Sequence, residues 1–411
     1  MESFCKEMRL LCKSAGVKVM SGKSKIALVL GGGGARSAYQ AGYLRYIGKR
    51  IPDLRFSILC GTSAGAINAV HLARYQGPLS AASNDLKNLW SELTVDQVFE
   101  ANTWSLGQMV ARWGMKLLSG GSTLAPTTRG LVDTQPLRRY LTRQTQCLQN
   151  GKIPGVEENI LRGNLDSLAI TTTDYDSGRS VTWIHGNNTH EWQRTYRSGI
   201  ETKIRLDHIM ASCAIPLVFP AVKVEGCWHG DGGVRLTTPL SPAMHLGAEK
   251  ILAISTRYLP NGVLPPLKSE GTYPPPAQVA GVLMNAIFLD AMDFDASNVD
   301  RFNQLLKKLP EEDRMGLRPV DMFTARPSED PGILAGQFEA NLPGPFRFME
   351  RGLGTQESSS NDLLSLLMFQ PEYVQALIDM GERDARASAD RLIPFLQDQA
   401  TPASLSSQRD T

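Results

Sequence analysis

The run 25–30 (KIALVL) is apolar almost throughout and stops at four glycines, a pattern that predicts a strand buried on both faces, as in a parallel sheet. From Ala35 to about Lys49 the apolar residues Ala38, Ala41, Leu44 and Ile47 recur at helical spacing, and Pro52 and Asp53 then mark a turn. Residues 55–60 predict a second buried strand, and Ala64 to about Tyr75 a second helix. A chain that begins strand, helix, strand, helix implies parallel strands joined by right-handed crossovers.

Residues 83–162 read as mainly helical, with Trp90, Trp104 and Trp113, and are interrupted by a Gly/Ser/Thr-rich stretch at 119–130. Strands return at 167–173 (SLAITTT) and 180–184, separated by the turn signal Asp176 to Gly178. A short helix at 207–213, a strand VKV, the loop GCWHGDGG, a helix at 240–246 and a strand at 250–255 (KILAIS) follow. Residues 259–276 are rich in proline and glycine and predict a loop. Beyond it the pattern gives one long or broken helix over 277–309, a last strand at 320–325, helices over 361–396 and a polar, disordered tail. There is no internal repeat.

Composition narrows the class. A chain of 411 residues, 42% apolar, has enough material for a large core. Its 43 basic and 41 acidic side chains are interspersed, which argues against a nucleic-acid partner. Six cysteines without a C-x-x-C pair, Cys60 and Cys213 among them inside apolar segments, fit reduced, packed thiols and no zinc site. The first 22 residues are expected as a leader without a secretory signal, and no apolar run approaches the ~18 residues of a membrane span. The expected location is the cytoplasm, with peripheral contact with a membrane left open.

Two phosphate-binding patterns fail. SGKS at 21–24 has five residues between Gly16 and Gly22 where a P-loop has four, and it feeds a strand instead of a helix. GGGGARS at 31–37 lacks the third glycine of the dinucleotide fingerprint, and Asp53 precedes the second strand instead of ending it.

GTSAG at 61–65 fits the nucleophile elbow G-x-S-x-G in a strand–turn–helix context, with Ser63 between Gly61 and Gly65. The bland alternative is that Thr62 or Ser63 merely caps the following helix. GGGG offers backbone N–H groups with no side chain in the way, which is what stabilising a tetrahedral oxyanion requires. Both loops follow consecutive buried strands and so emerge at the same edge of the sheet. A Ser–Asp–His order is available in Ser63, Asp231 and His245, but His245 lies in a helix-like run and the elbow arrives too early for an α/β hydrolase. Asp231 in HGDGGV is the better base, being an acid on a glycine-flanked loop; its bland alternative is a hairpin-turn aspartate.

GGGGARS, GTSAG and DGG, in that order, resemble the patatin-like phospholipase family, as do ASCAIPLVFPAV and PLSPAMHLGAEKILAIS around the aspartate. The likeness covers about 25–256, with weaker likeness to bacterial members beyond it. It implies an α/β, three-layer fold with a mostly parallel central sheet and a C-terminal helical extension. The expected division is a catalytic domain at 23–256, with 83–162 as an inserted lid, an extension at 257–398 and a tail at 399–411. It also implies Ser63 as nucleophile, Asp231 as its base, Gly32, Gly33, Gly34 and Arg36 as the oxyanion loop, and Gly61, Gly65, Gly232 and Gly233 as motif glycines. Ser37 departs from the family by standing where a glycine commonly closes that loop. The implied activity is hydrolysis of fatty-acyl esters in phospholipid or lysophospholipid, without metal or other cofactor. An acyltransferase and a non-catalytic lipid-binding module are the alternatives. A carboxylate base needs partial desolvation, so Asp231 is expected in a cleft beside apolar groups of the insertion.

Overall fold

Five parallel strands form the centre of the molecule, and two of them deliver the glycine loop and the serine to one edge. The computed structural model describes residues 24–100, 130, 132–187, 189–260, 276–338 and 362–397. Residues 25–396 make up one compact unit; of the other, residues 1–24 and 397–411, only Ser24 and Gln397 are described. The leader, residues 101–129 of the expected lid, most of the proline-rich loop and the tail lie outside the described residues.

The strands are β1 (Ile26–Leu30), β2 (Ile58–Thr62), β3 (Ser167–Asp174), β4 (Ser180–Gly186), β5 (Trp192–Gln193), β6 (Arg197–Glu201), β7 (Val222–Val224), β8 (Cys227–Asp231), β9 (Lys250–Ile254) and β10 (Asp321–Ala325). They lie in the order β10-β9-β1-β2-β3-β4-β6-β5, with β8 also paired to β3. The run from β10 to β3 is parallel; β4 and β8 are antiparallel to β3. Because β2 leads away from β1 on one side and β9 flanks it on the other, the carboxyl end of β1 opens a crevice of the kind where open α/β sheets bind ligands.

Alternation along the strands builds three layers. Leu28, Leu30, Leu59, Leu252 and Ile254 share one core with Tyr39, Leu44 and Ile47 of α1 (Ala38–Arg50), Ile67 and Val70 of α2 (Ala64–Arg74), and Leu86 and Trp90 of α3 (Leu79–Glu92). Ala27, Val29, Ile58, Cys60, Ile251 and Ala253 face the other way. They pack against a second group of helices. The helix α4 (Leu206–Ser212), which approaches β3 and β8, gives Leu206, Ile209 and Met210 to the first core; the second group is α5 (Ser241–His245) and, after α6 (Pro276–Phe288), α7 (Asp290–Leu306). Ala243 of α5 and Met292, Ala296 and Val299 of α7 fill the second core.

The C-terminal part is built into this sandwich. β10 extends the sheet beside β9, α8 (Asp362–Leu367) packs against the glycine loop, and α9 (Pro371–Ala387) lies along α1, placing Tyr373, Leu377 and Ile378 in the first core. The long helical pattern over 277–309 is the broken version, interrupted at Leu289. CWHGD is a strand, where its glycine and polar residues read as loop. Pairing of Thr172 with Asp231 and Thr173 with Gly230 overrides local propensity, as tertiary context does in sheets. β5 and β6 carry no strand signature in the sequence, being short and half exposed without an apolar run.

Candidate active site

Ser63 follows β2 directly, with φ 55° and ψ −134°, a backbone conformation that non-glycine residues rarely adopt. Its side chain makes no capping hydrogen bond to α2, so the helix-cap alternative does not account for it. The strained turn is instead held from outside. The Ser63 N–H donates to Ser212 Oγ at 2.9 Å, Ser212 Oγ donates to the Thr171 carbonyl at 2.7 Å, and Cys213 Sγ donates to the Ser63 carbonyl at 3.2 Å. The motif glycines serve close approach: a Cβ on Gly65 would collide with the Leu30 and Gly31 carbonyls, and one on Gly61 would stand 2.6 Å from Ala66 Cα.

The glycine loop after β1 has its carbonyls tied down and its amides free. Gly31 O accepts from Gln40 Nε2 at 2.9 Å, Gly32 O from Thr256 Oγ1 at 2.6 Å and Gly33 O from the Arg36 N–H at 3.0 Å. Among the described residues nothing accepts from the N–H groups of Gly32, Gly33 or Gly34. The loop lies against the serine, since a Cβ on Gly32 would be 2.9 Å from Ser63 Cβ and 3.5 Å from its Oγ. Unpaired amides beside a hydroxyl are the arrangement that binds a developing oxyanion. Sequence reading missed Gln40 and Thr256, which are distant from the motif or hidden on a helix face.

Arg36 has a different part from the one its place in the motif suggests. Its N–H is taken by Gly33 O, and its buried guanidinium reaches α8, donating to Asp362 Oδ1 at 2.7 Å and to Ser365 Oγ at 2.6 Å. It braces the loop from behind and does not donate into the pocket. Gly34, at φ 54°, lets the loop touch α8 directly, for a Cβ there would overlap the Leu366 carbonyl. Ser37 is buried with its hydroxyl unpaired.

Asp231 ends β8 and is fully buried. Its N–H donates to Ala214 O at 2.9 Å, Thr173 Oγ1 donates to its carbonyl at 2.8 Å, and its Oδ1 accepts from the Gly233 N–H at 2.9 Å. Oδ2 is buried with no hydrogen bond formed. Burial pushes the carboxyl up to about 7, and the Ser63 hydroxyl, then the Gly233 N–H, draw it partly back. The Ser63 hydroxyl thus acts on this carboxyl although no full hydrogen bond joins them, as is common before substrate tightens a site. The hairpin-turn alternative also falls, because the turn between β7 and β8 is made by Glu225 and Gly226, both at positive φ. Gly232 could not carry a Cβ without meeting the Thr171 carbonyl, and on Gly233 one would come within 2.5 Å of the Phe288 ring.

His245 is at the wrong edge for a triad. It stacks on Trp192 at 4.6 Å and lines a polar cleft with Lys25, Asp166 and Ser167, at the amino ends of β1 and β3. Phe288 at the end of α6 brings an apolar ring against Gly233, two residues from Asp231, while residues 101–129 of the insertion expected there lie outside the described residues. Among the described residues one group has metal-ligand spacing, Asp174, Asp176 and Cys227, whose ligand atoms lie within 4.8 Å of one another. Asp174 already accepts from the Asp176 N–H and Ser177 Oγ in a turn.

A strained serine after a central strand, a glycine loop with free amides beside it and a buried carboxylate on the neighbouring β8 form the candidate site on a parallel α/β sheet. Residues 28–244, over half of the chain, match the patatin-like phospholipase family, and the chain belongs to that family. Among solved structures, human GIVD cytosolic phospholipase A2 in complex with methyl gamma-linolenyl fluorophosphonate is similar at 12% identity over 92% of this chain and 59% of that one, with a TM-score of 0.42. VipD from Legionella pneumophila is similar at 12% identity, 87% and 67% coverage and a TM-score of 0.33. The type III effector protein ExoU is similar at 11% identity, 92% and 54% coverage and a TM-score of 0.32. This chain thus spans 59% of the phospholipase A2 chain and 54% of the ExoU chain. A comparison with curated proteins finds no match.

Proposed function

We propose that the protein hydrolyses fatty-acyl ester bonds of phospholipid or lysophospholipid, with Ser63 as nucleophile and Asp231 as its base. One observation carries the reading: Gly32, in a loop whose amides are free, lies against Ser63, and the Ser63 hydroxyl acts in turn on the buried Asp231 carboxyl. Family membership supports the lipid ester as the substrate class.

In this mechanism the ionised Asp231 takes the Ser63 proton as Oγ bonds to the acyl carbon, and the carbonyl electron pair moves onto oxygen. The glycine amides receive that oxyanion; one such donor is typically worth about 3–4 kcal/mol in the transition state. Collapse breaks the ester C–O bond, and Asp231 returns the proton to the departing alkoxide. Water then repeats the sequence, giving its proton to Asp231, releasing the fatty acid and restoring Ser63. Among the described residues no helix is long and apolar enough to cross a membrane.

The test is labelling of the full chain with a fluorophosphonate, followed by peptide mass mapping. Modification at Ser63, lost in Ser63→Ala and sharply slowed in Asp231→Asn, supports the reading; modification at another serine overturns it.

A further inference from the structure

Three fully buried polar side chains form a line behind the glycine loop: Trp90 of α3, Asn68 of α2 and Gln40 of α1. Trp90 Nε1 donates to Asn68 Oδ1 at 2.7 Å, and Asn68 Nδ2 donates to Gln40 Oε1 at 2.8 Å. Gln40 Nε2 then donates to the Gly31 carbonyl at 2.9 Å and to the Ile254 carbonyl at 3.1 Å. The second hydrogen of the Asn68 amide goes to the Ser37 carbonyl at 3.2 Å. The line has one possible sense. An indole N–H can only donate and a backbone carbonyl can only accept, so neither amide can turn over without setting two donors or two acceptors face to face. Trp90 itself is held by its ring, stacked on Phe369 with centroids 6.5 Å apart and planes 11° from parallel.

We propose that Gln40 is a positioning residue for the oxyanion loop and that Asn68 and Trp90 fix the sense in which it acts, a reading that rests on the proposed esterase function. The reason lies in the peptide plane. In a trans peptide the C=O and the N–H point in opposite directions, so a side chain that holds the Gly31 carbonyl also sets the direction of the Gly32 N–H in the same plane. Gly32 is the loop residue whose backbone lies against Ser63. Glycine has no Cβ to hold such a plane, so without an anchor the amide would swing and lose the aim that a developing oxyanion needs. The core around the line is apolar, and a polar group buried there is costly unless it is hydrogen-bonded. Meeting that demand ties three helices to one carbonyl. Asn68 lies on α2, the helix that Ser63 precedes, so its bond to Gln40 also sets the spacing between the hydroxyl and the amide.

The experiment measures kcat and KM for p-nitrophenyl butyrate on the full chain and on Gln40→Met, Trp90→Phe and the two combined, well below every melting temperature. Gln40→Met keeps the length of the side chain and removes its donor. Its kcat is expected to fall by about tenfold or more with KM within about twofold, a part of the roughly 10²- to 10³-fold that a whole oxyanion donor contributes. Trp90→Phe keeps an aromatic ring and removes the N–H, so both amides can turn over, and kcat is expected to fall by a smaller factor. Because both changes act through one carbonyl, the double variant is expected to lose no more than Gln40→Met alone. Melting temperatures show which variants are folded, and Trp90→Phe alone decides if Gln40→Met does not fold. Unchanged kcat in a folded single variant, or factors that multiply in the double variant, overturn the proposal while leaving the esterase reading intact. A wild-type chain that neither hydrolyses the ester nor takes a fluorophosphonate label at Ser63 overturns the esterase reading itself and this inference with it.

Discussion

The Ser212 hydroxyl bridges the candidate nucleophile and the sheet, accepting from the Ser63 N–H at 2.9 Å and donating to the Thr171 carbonyl at 2.7 Å. A turn at φ 55° costs about 1–3 kcal/mol and persists only where its surroundings impose it. Ser212→Ala leaves a buried N–H without an acceptor, a cost of about 1–3 kcal/mol that lowers the melting temperature. It also frees the elbow, so kcat should fall roughly tenfold or more with little change in KM, because small misplacements of a nucleophile are felt in the chemical step. A lower melting temperature with unaltered kcat would show that Ser212 packs but does not position.

Arg36 and Asp362 make a second long-range bond, 326 residues apart, between the glycine loop and α8. The guanidinium is almost fully buried, so Asp362→Ala strands a charge and is expected to destabilise the fold by about 3–5 kcal/mol. The double change Arg36→Met with Asp362→Leu removes the stranded charge and should recover most of that loss in urea unfolding. Equal instability of the single and double variants contradicts a brace of this kind.

Much of the fold can be read from local pattern. The runs ending at Gly31 and around Gly61 are apolar and glycine-stopped, so β1, β2 and the edge they share follow from sequence. What cannot be read is whatever depends on a distant partner. CWHGD has no strand signature and becomes β8 because β3 pairs with it. Arg36 follows four glycines closely enough to look like part of an oxyanion loop, yet Asp362 and Ser365 decide where its guanidinium goes. The apolar groups expected beside Asp231 from 83–162 fall in large part on 101–129, outside the described residues, and Phe288, beside Gly233, sits at the end of a helix that periodicity shows but cannot aim.

Gly32 and Gly34 separate chemistry from folding within one loop. The backbone at Gly32 is not in the left-handed region, so Ala can adopt it, but the new methyl would stand 2.9 Å from Ser63 Cβ and crowd the amides away from the hydroxyl. Gly32→Ala should cost about 10²-fold or more in kcat with a melting temperature within a few degrees of wild type. Gly34→Ala needs φ near 54° and overlaps the Leu366 carbonyl, so it should lower the melting temperature first. Activity that survives Gly32→Ala intact removes this loop from the mechanism.

The buried Asp231 ties activity and stability to pH in opposite directions. Only the ionised carboxylate can take the Ser63 proton, and burial raises its pKa to about 7, so kcat/KM should climb with pH and level off above that value. For stability the same shift has the reverse sign. In the unfolded chain the carboxyl ionises near its ordinary value of about 3.9, while in the fold it holds its proton to about 7. The folded state therefore binds the extra proton between those values, and stability falls as pH rises through that window. Below it both states are protonated and the penalty is absent; above it the penalty is full, on the order of 4 kcal/mol at most. Asp231→Asn should thus be inactive and yet more heat-stable than wild type at pH 8, the difference shrinking toward zero at pH 4. Calorimetric melting of both proteins across that range checks the sign, and a gap that is constant with pH would mean that the carboxyl is not titrating in a dry pocket beside Ser63.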